Sequence, residues 1–338
     1  MEGTLTRPAG NQFVRRHAPA LSLIVVVLAV IVYAYNSSPQ VTRAVLSATL
    51  RQSTPLVLGA LCGLYGERAG VINIGIEGQM LFAAFIGFMA NVYIGNLFIA
   101  VLMGVLAGAL LGLFLAYMSV TLKMDQIIGG TVINILAFGL TGYFYTQGLT
   151  TQGKLQPIAL GPLADLPLVG PVLFNNPPIT YLTLLIVALT HYVIFYTRWG
   201  LRTRAVGEHP RAADTVGINV YKMRYMNVII GGALAGLAGA YLSLEAVGSF
   251  ERAMTNGRGF VALAVMIFGK WTPIGSWGAA LLFGFATALQ TQLQFMGQLE
   301  IPHQFIGMLP YVLTIVVLAG FVGRARPPAA DGIPYEKE

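Results

Sequence analysis

The chain has 338 residues, of which 56% are hydrophobic and only 10% charged, whereas soluble domains carry about 25% charged residues. Its mean hydropathy is +0.72, and its apolar residues fall in runs long enough to cross a hydrocarbon layer of about 30 Å. That excludes a soluble enzyme, a disulfide-stapled secreted domain and a disordered tail. The net charge of +7 comes without any dense basic block interleaved with aromatics, so no nucleic acid is expected as a partner. In a membrane chain, excess Lys and Arg is what cytoplasmic loops collect.

The expected fold class is an all-α polytopic membrane protein of about ten transmembrane helices, some short or broken, in contact with lipid. The apolar runs lie at 20–35, 53–66, 70–90, 97–120, 125–147, 179–197, 223–244, 257–269, 275–296 and 304–322. The first follows a basic leader with Arg7, Arg15 and Arg16, which raises a cleaved signal peptide; no small-x-small cleavage pattern follows, which favours an uncleaved helix. Cys62, the single cysteine, lies inside an apolar run and reads as a small core residue. Gly104, Gly108 and Gly112, and then Gly232 and Gly236, recur every four residues, the spacing that lets helix backbones approach closely in a membrane.

Orientation follows from Lys and Arg. With the N-terminus inside and every run crossing, fifteen of these residues lie inside and five (Arg43, Arg51, Lys154, Arg252 and Arg258) outside. Both termini then face the cytoplasm. The chain divides into a cytoplasmic tail at 1–19, a membrane domain at 20–322 and a second cytoplasmic tail at 323–338. Residues 148–178, rich in proline and nearly uncharged, form an ordered extracytoplasmic loop. Residues 198–224 hold the densest charge and face the cytoplasm.

The runs 53–66 and 257–269 are short for spans, one in each half, and such segments are the sequence pointer to a transport path. Broken helices expose backbone groups that survive at membrane depth only beside a cavity or inside protein. Glu77 sits deep in an apolar run, where a charge costs about 2.5–3.5 kcal/mol, and Asn73 shares its helix face. Either this pair shapes or lines the path, or Glu77 caps a broken helix or bonds to backbone across a bend. Thr287, Gln290, Thr291, Gln294 and Gln298 make one polar helix stripe, suited to an uncharged polar solute such as a sugar or nucleoside, or else to interhelical hydrogen bonds. Thr131 and Asn134 form a smaller polar pair. Catalytic constellations, zinc spacings and a P-loop are missing from the sequence, so the chain is not expected to be an enzyme, to hold a metal or to bind a cofactor itself. Uphill transport would then draw on an ion gradient or on another chain.

In the cytoplasmic loop, Gly207-Glu208-His209-Pro210-Arg211-Ala212-Ala213-Asp214-Thr215-Val216-Gly217-Ile218 places proline at a first helical turn and glycine at the exit. That is the form of a short helix that docks into a partner. These residues, the 66–80 run Gly66-Glu67-Arg68-Ala69-Gly70-Val71-Ile72-Asn73-Ile74-Gly75-Ile76-Glu77-Gly78-Gln79-Met80 and the 257–264 run Gly257-Arg258-Gly259-Phe260-Val261-Ala262-Leu263-Ala264 resemble the permease family of bacterial ABC importers that includes ribose, branched-chain amino acid and nucleoside systems. The tail Gly332-Ile333-Pro334-Tyr335-Glu336-Lys337-Glu338 is similar to the shorter permease of the nucleoside-type systems. His209 departs from the family pattern, which usually has Asn there, but His can also cap a helix start.

The resemblance implies a multi-pass subunit of the bacterial plasma (inner) membrane that gives alternating access to a solute. It implies a separate ATPase carrying ATP and Mg, docked on Gly207 to Asp214 and Gly217. It further implies a second permease, making a heterodimer, and an extracytoplasmic solute-binding lipoprotein. Nucleosides are the expected solute, with a simple sugar such as ribose as the alternative, and a stand-alone secondary transporter as the reading from another class.

Overall fold

In the computed structural model, residues 29–296, 303–308, 312, 315 and 325–337 are described. The expected first span at 20–35 and last span at 304–322 therefore fall largely outside the described residues, as does Gln298. The regular structure of the described residues is helical except for a two-residue antiparallel pairing of β1 (Ile158–Ala159) with β2 (Asn175–Asn176). Among the described residues five helical stretches are long and apolar enough to cross a membrane, which makes this a multi-pass membrane protein.

Helix α1 (Pro39–Arg68) is a single rod of 30 residues, so the run at 53–66 is not a short segment. The charge at Arg51, which limits the apolar run in sequence, does not limit the helix, because its guanidinium donates to the carbonyl of Asn175 at 3.4 Å and faces a cavity instead of lipid. The break falls after α1. Gly70 takes a left-handed φ of +83°, and residues 69–75 run without helix into α2 (Ile76–Ile94). Val71 and Asn73 in this stretch are fully buried. Non-helical backbone at membrane depth must find its hydrogen bonds inside the protein, and helix α4 (Gln126–Phe144) supplies them. The Ile72 N–H donates to Gln126 Oε1 at 2.6 Å, and the Ile74 carbonyl accepts from Asn134 Nδ2 at 3.1 Å.

Helix α3 (Leu97–Ala116) begins on Asn96, whose side chain accepts from the N–H groups of Phe98 and Ile99. It ends in a π-helical turn at Tyr117–Thr121. Asp125 caps α4 in the same way. Helix α5 (Pro178–Tyr196) follows the 148–176 loop, and α6 (Arg198–Glu208) and α7 (Pro210–Thr215) form the charged connection to α8 (Val220–Ala240). A second π-helical segment, Tyr241–Val247, extends α8. Helix α9 (Arg258–Phe268) rises only about 16 Å and is a half-span, as its sequence suggests. Helix α10 is Pro273–Met296.

The glycine repeats make the central crossing. Gly104, Gly108 and Gly112 of α3 meet Ala240, Gly236 and Gly232 of α8, running antiparallel, and a Cβ on Gly108 would lie 2.4 Å from the Gly232 carbonyl oxygen. Helix α1 is the core rod, with residues 53–67 buried throughout. By contrast α4 presents Ile128, Ile135, Phe138 and Tyr143 outward, the surface of a helix solvated by lipid.

Basic residues separate to two ends of the bundle. At one end Arg68 donates to the Trp271 carbonyl and, with Arg204, stacks over Phe195. At the other, Arg51 meets Asn175, Lys154 donates to the Ala246 carbonyl and Arg252 stacks over Tyr145.

Candidate functional site

Two cavities adjoin along α1, the outer one against the Tyr241–Val247 segment and the connection to α9, the deeper one against α9 and α10. The outer one, about 900 Å³, is lined by Ser47, Arg51, Gln52, Tyr241, Glu251, Arg252, Asn256 and Arg258, among others. The deeper one, about 520 Å³, is lined by Leu56, Phe260, Val261, Ala264, Phe283, Thr287, Gln290 and Gly307 together with Gln52, Asn256 and Arg258. Those last three residues are common to both, so they form the waist between the two chambers. Polar groups stand on an apolar wall here, the usual composition of a small-molecule site. The outer chamber carries three arginines against one carboxylate, Glu251, and is electropositive.

The waist is built by the connection between α8 and α9. Its backbone is left-handed at Ala253 (φ +56°), Asn256 (φ +45°) and Gly257 (φ +79°), conformations that non-glycine residues hold only when the surroundings enforce them. Glu77 enforces this one. Its Oε1 accepts from the Gly257 N–H at 2.8 Å and its Oε2 from the Gly259 N–H at 2.6 Å, so the carboxylate from α2 caps α9 on both sides of Arg258. An anion at a helix N-terminus is stabilised by the free N–H groups and the helix dipole.

The other expected path residues divide. Thr287 and Gln290 line the deeper cavity. Thr291 and Gln294, further along α10, do not reach either chamber's lining, and the Thr291 hydroxyl donates to the Thr287 carbonyl. Asn73, buried, bonds to Gln79 and Cys62, which keeps it away from both chambers. Asn134 bridges the Gly78 N–H and the Ile74 carbonyl and so holds the break against α4. Thr131 is exposed on α4, its hydroxyl given to the Ile127 carbonyl. Of the two readings open for Glu77, the cap describes its contacts. Glu245 plays the same part for α5, accepting from the N–H groups of Ile179 (2.7 Å) and Thr180 (3.1 Å). It escaped sequence reading because it stands just past the apolar run 223–244, whereas Glu77 lies inside one. Arg258, a charge inside the run 257–269, was legible by the rule of charge in an apolar run; Arg51, which precedes the run 53–66, and Gln52 and Asn256 carry no such signal.

At the opposite end, Pro210 opens α7 and Gly217 (φ +83°) closes the turn after it. His209 holds the N-cap position but makes no side-chain cap bond; its backbone carbonyl accepts the first helical bond, from the Ala213 N–H. Ala213 is buried among Val206, Val220, Met223 and Tyr335. A groove of about 670 Å³ runs between His209, Pro210, Arg211 and Ala212 on one side and Ala329 to Glu336 of the tail on the other. The tail is tied down along its length: the Ala330 N–H donates to the Gly207 carbonyl, the Ala329 N–H to Glu208, Arg224 Nη1 to the Ile333 carbonyl, and Lys123 Nζ to Glu336 at 2.5 Å. Burial pushes the Asp331 carboxyl up to about 6, while its contacts with Glu67, the Gly332 N–H and Arg224 pull the other way. Among the described residues no group of three His, Cys, Asp or Glu side chains could hold a metal.

The chain is similar to several transport proteins along most of its length. It is 40% identical to the guanosine ABC transporter permease protein NupQ of Bacillus subtilis, over 88% of this chain and 98% of that one. It is 39% identical to the nucleoside ABC transporter permease protein NupC of Lactococcus lactis, over 87% and 97%. It is 36% identical to the putative glucose ABC transporter permease protein TsgC13 of Haloferax volcanii, over 83% and 92%. No solved structure gives a significant match. Residues 45–318 match the family described as branched-chain amino acid transport system / permease component, and the chain therefore belongs to that family of membrane transport subunits.

Proposed function

We propose that this chain is a permease subunit of an ATP-driven importer of nucleosides in the bacterial plasma membrane. The observation that carries the reading is the two-chambered cavity, whose deeper half offers neutral hydrogen-bonding groups, Thr287 and Gln290, on a wall with Phe260 and Phe283. A flat heterocycle bearing a hydroxylated sugar needs both kinds of surface. The names of two relatives above 35% identity, guanosine and nucleoside permeases, support it. One relative named for glucose favours a second reading, a simple sugar as solute.

The α6–α7 end, with fifteen of twenty Lys and Arg residues assigned to its side of a ten-crossing topology, faces the cytoplasm in this reading. A separate ATPase carrying ATP and Mg docks on residues 207–217 there. The cavity end receives solute from an extracytoplasmic lipoprotein. Thr291 stays exposed on α10 beside the deeper cavity, a poor surface for lipid, and a second permease chain closes the path over it, making a heterodimer.

Labelled uridine uptake in cells with and without this chain, competed by guanosine, ribose or leucine, tests the reading. Chain-dependent uptake blocked by guanosine and not by ribose is expected. Chain-dependent ribose uptake with uridine uptake unaffected would transfer the assignment to sugars.

A further inference from the structure

The waist has hydrogen-bonding capacity that the protein itself leaves unspent. Arg258 makes one hydrogen bond among the described residues, from Nη1 to the Met254 carbonyl at 3.0 Å, and a guanidinium has five N–H donors in a planar fork. Gln52 and Asn256 line both chambers, and their side-chain amides have no hydrogen-bond partner among the described residues. Directly below lies an apolar shelf that includes Phe260 and Phe283. A planar fork above aromatic and aliphatic surface fits a flat ring with two adjacent acceptors in its plane better than it fits a pentose, whose hydroxyls point in all directions.

The fork is also held in place. Glu77 takes the N–H groups on either side of Arg258, and at Gly259 a Cβ would lie 2.5 Å from the Glu77 Cα, so the loop rests on α2 without slack. This is preorganisation of the kind that makes hydrogen-bond readout selective.

The geometry points to Gln52, Asn256 and Arg258 as a selectivity waist that passes 6-oxopurine nucleosides ahead of adenosine, with Glu77 as its positioning residue. The inference rests on the nucleoside reading above. The O6 and N7 acceptors of guanine or hypoxanthine match a guanidinium fork, whereas adenine presents an amino donor beside N7 and meets it donor to donor.

The test measures guanosine and adenosine uptake by the complete transporter, with receptor and ATPase unchanged, so that the receptor's own preference cancels when variants are compared with wild type. Arg258→Lys keeps the charge and loses the fork. It should lower the guanosine-to-adenosine ratio about tenfold, within the discrimination of a bidentate arginine contact to a purine edge. Glu77→Gln, which leaves one of the two backbone N–H groups facing an amide donor, should shift the ratio several-fold in the same direction. A merely structural role would reduce both nucleosides alike. Asn256→Gly retains the left-handed backbone while removing the amide, and should shift the ratio even if Arg258 variants do not assemble. An unchanged ratio in the assembled variants, with both nucleosides transported by wild type, overturns the waist and leaves the nucleoside reading standing. A wild-type transporter that carries neither nucleoside overturns both.

Discussion

Replacing Gly108 by alanine sets two effects against each other. Helix propensity favours the change by about 0.8–1.0 kcal/mol, since glycine is a poor helix former. The crossing with α8 opposes it: the added Cβ would lie 2.4 Å from the Gly232 carbonyl oxygen, 2.5 Å from the Gly236 Cα and 2.6 Å from the Gly236 nitrogen. Ordinary contact begins at 3.4 Å, so the new atom is about 1 Å too close, and every neighbour is backbone that cannot rotate away. Overpacking of this sort costs roughly 1–3 kcal/mol, and separating α3 from α8 forfeits further dispersion along a seam where no hydrophobic effect between helices compensates. The net expectation is destabilisation by about 1–2 kcal/mol. Gly139 on α4 is the internal control, because a Cβ there meets nothing within 4 Å; Gly139→Ala should be neutral or stabilising by up to about 1 kcal/mol. Thermal denaturation of the two variants in one detergent, followed by the monodisperse fraction, reads the difference. Equal shifts in the same direction for both would refute the seam as the origin of the glycine repeat.

The Asp331 carboxyl ionises near 3.8 when unperturbed and at about 6 in the docked tail, so the docked state favours the protonated form. Docking weakens as pH rises from the lower value, and because Asp331 and Glu67 titrate as a pair the loss belongs to both carboxyls. Exchange of the Ala330 amide, bonded to Gly207, should therefore be better protected at about pH 4 than at about pH 7 after correction for intrinsic rates, and Asp331→Asn should reduce the difference. Equal protection across the range would remove Asp331 from the tail's attachment. On α10, Gln290→Ala should change apparent affinity for solute a few-fold while Gln294→Ala changes it little, since the first lines the deeper cavity and the second does not. Matched uptake kinetics in the two variants would show that the lining does not distinguish these positions.

Composition and apolar periodicity determined the membrane class, the positions of five apolar helices, the glycine crossing and the form of α7, because each depends on residues near one another in sequence. The run 257–269 was legible as too short for an ordinary span for the same reason, its end being marked locally by Lys270-Trp271-Thr272-Pro273. Only the tertiary structure decided that 53–66 belongs to one long rod, since Arg51 is tolerated there through contact with Asn175, 124 residues away. It also decided what Glu77 does. A buried carboxylate is a sequence-level alarm, but whether it lines a path or caps a helix depends on which N–H groups the fold brings to it, and these arrive 180 residues later in the chain. The waist was hidden on the same ground: Gln52 and Asn256 are ordinary polar residues until the packing of α1 against α9 sets them on one cavity with Arg258.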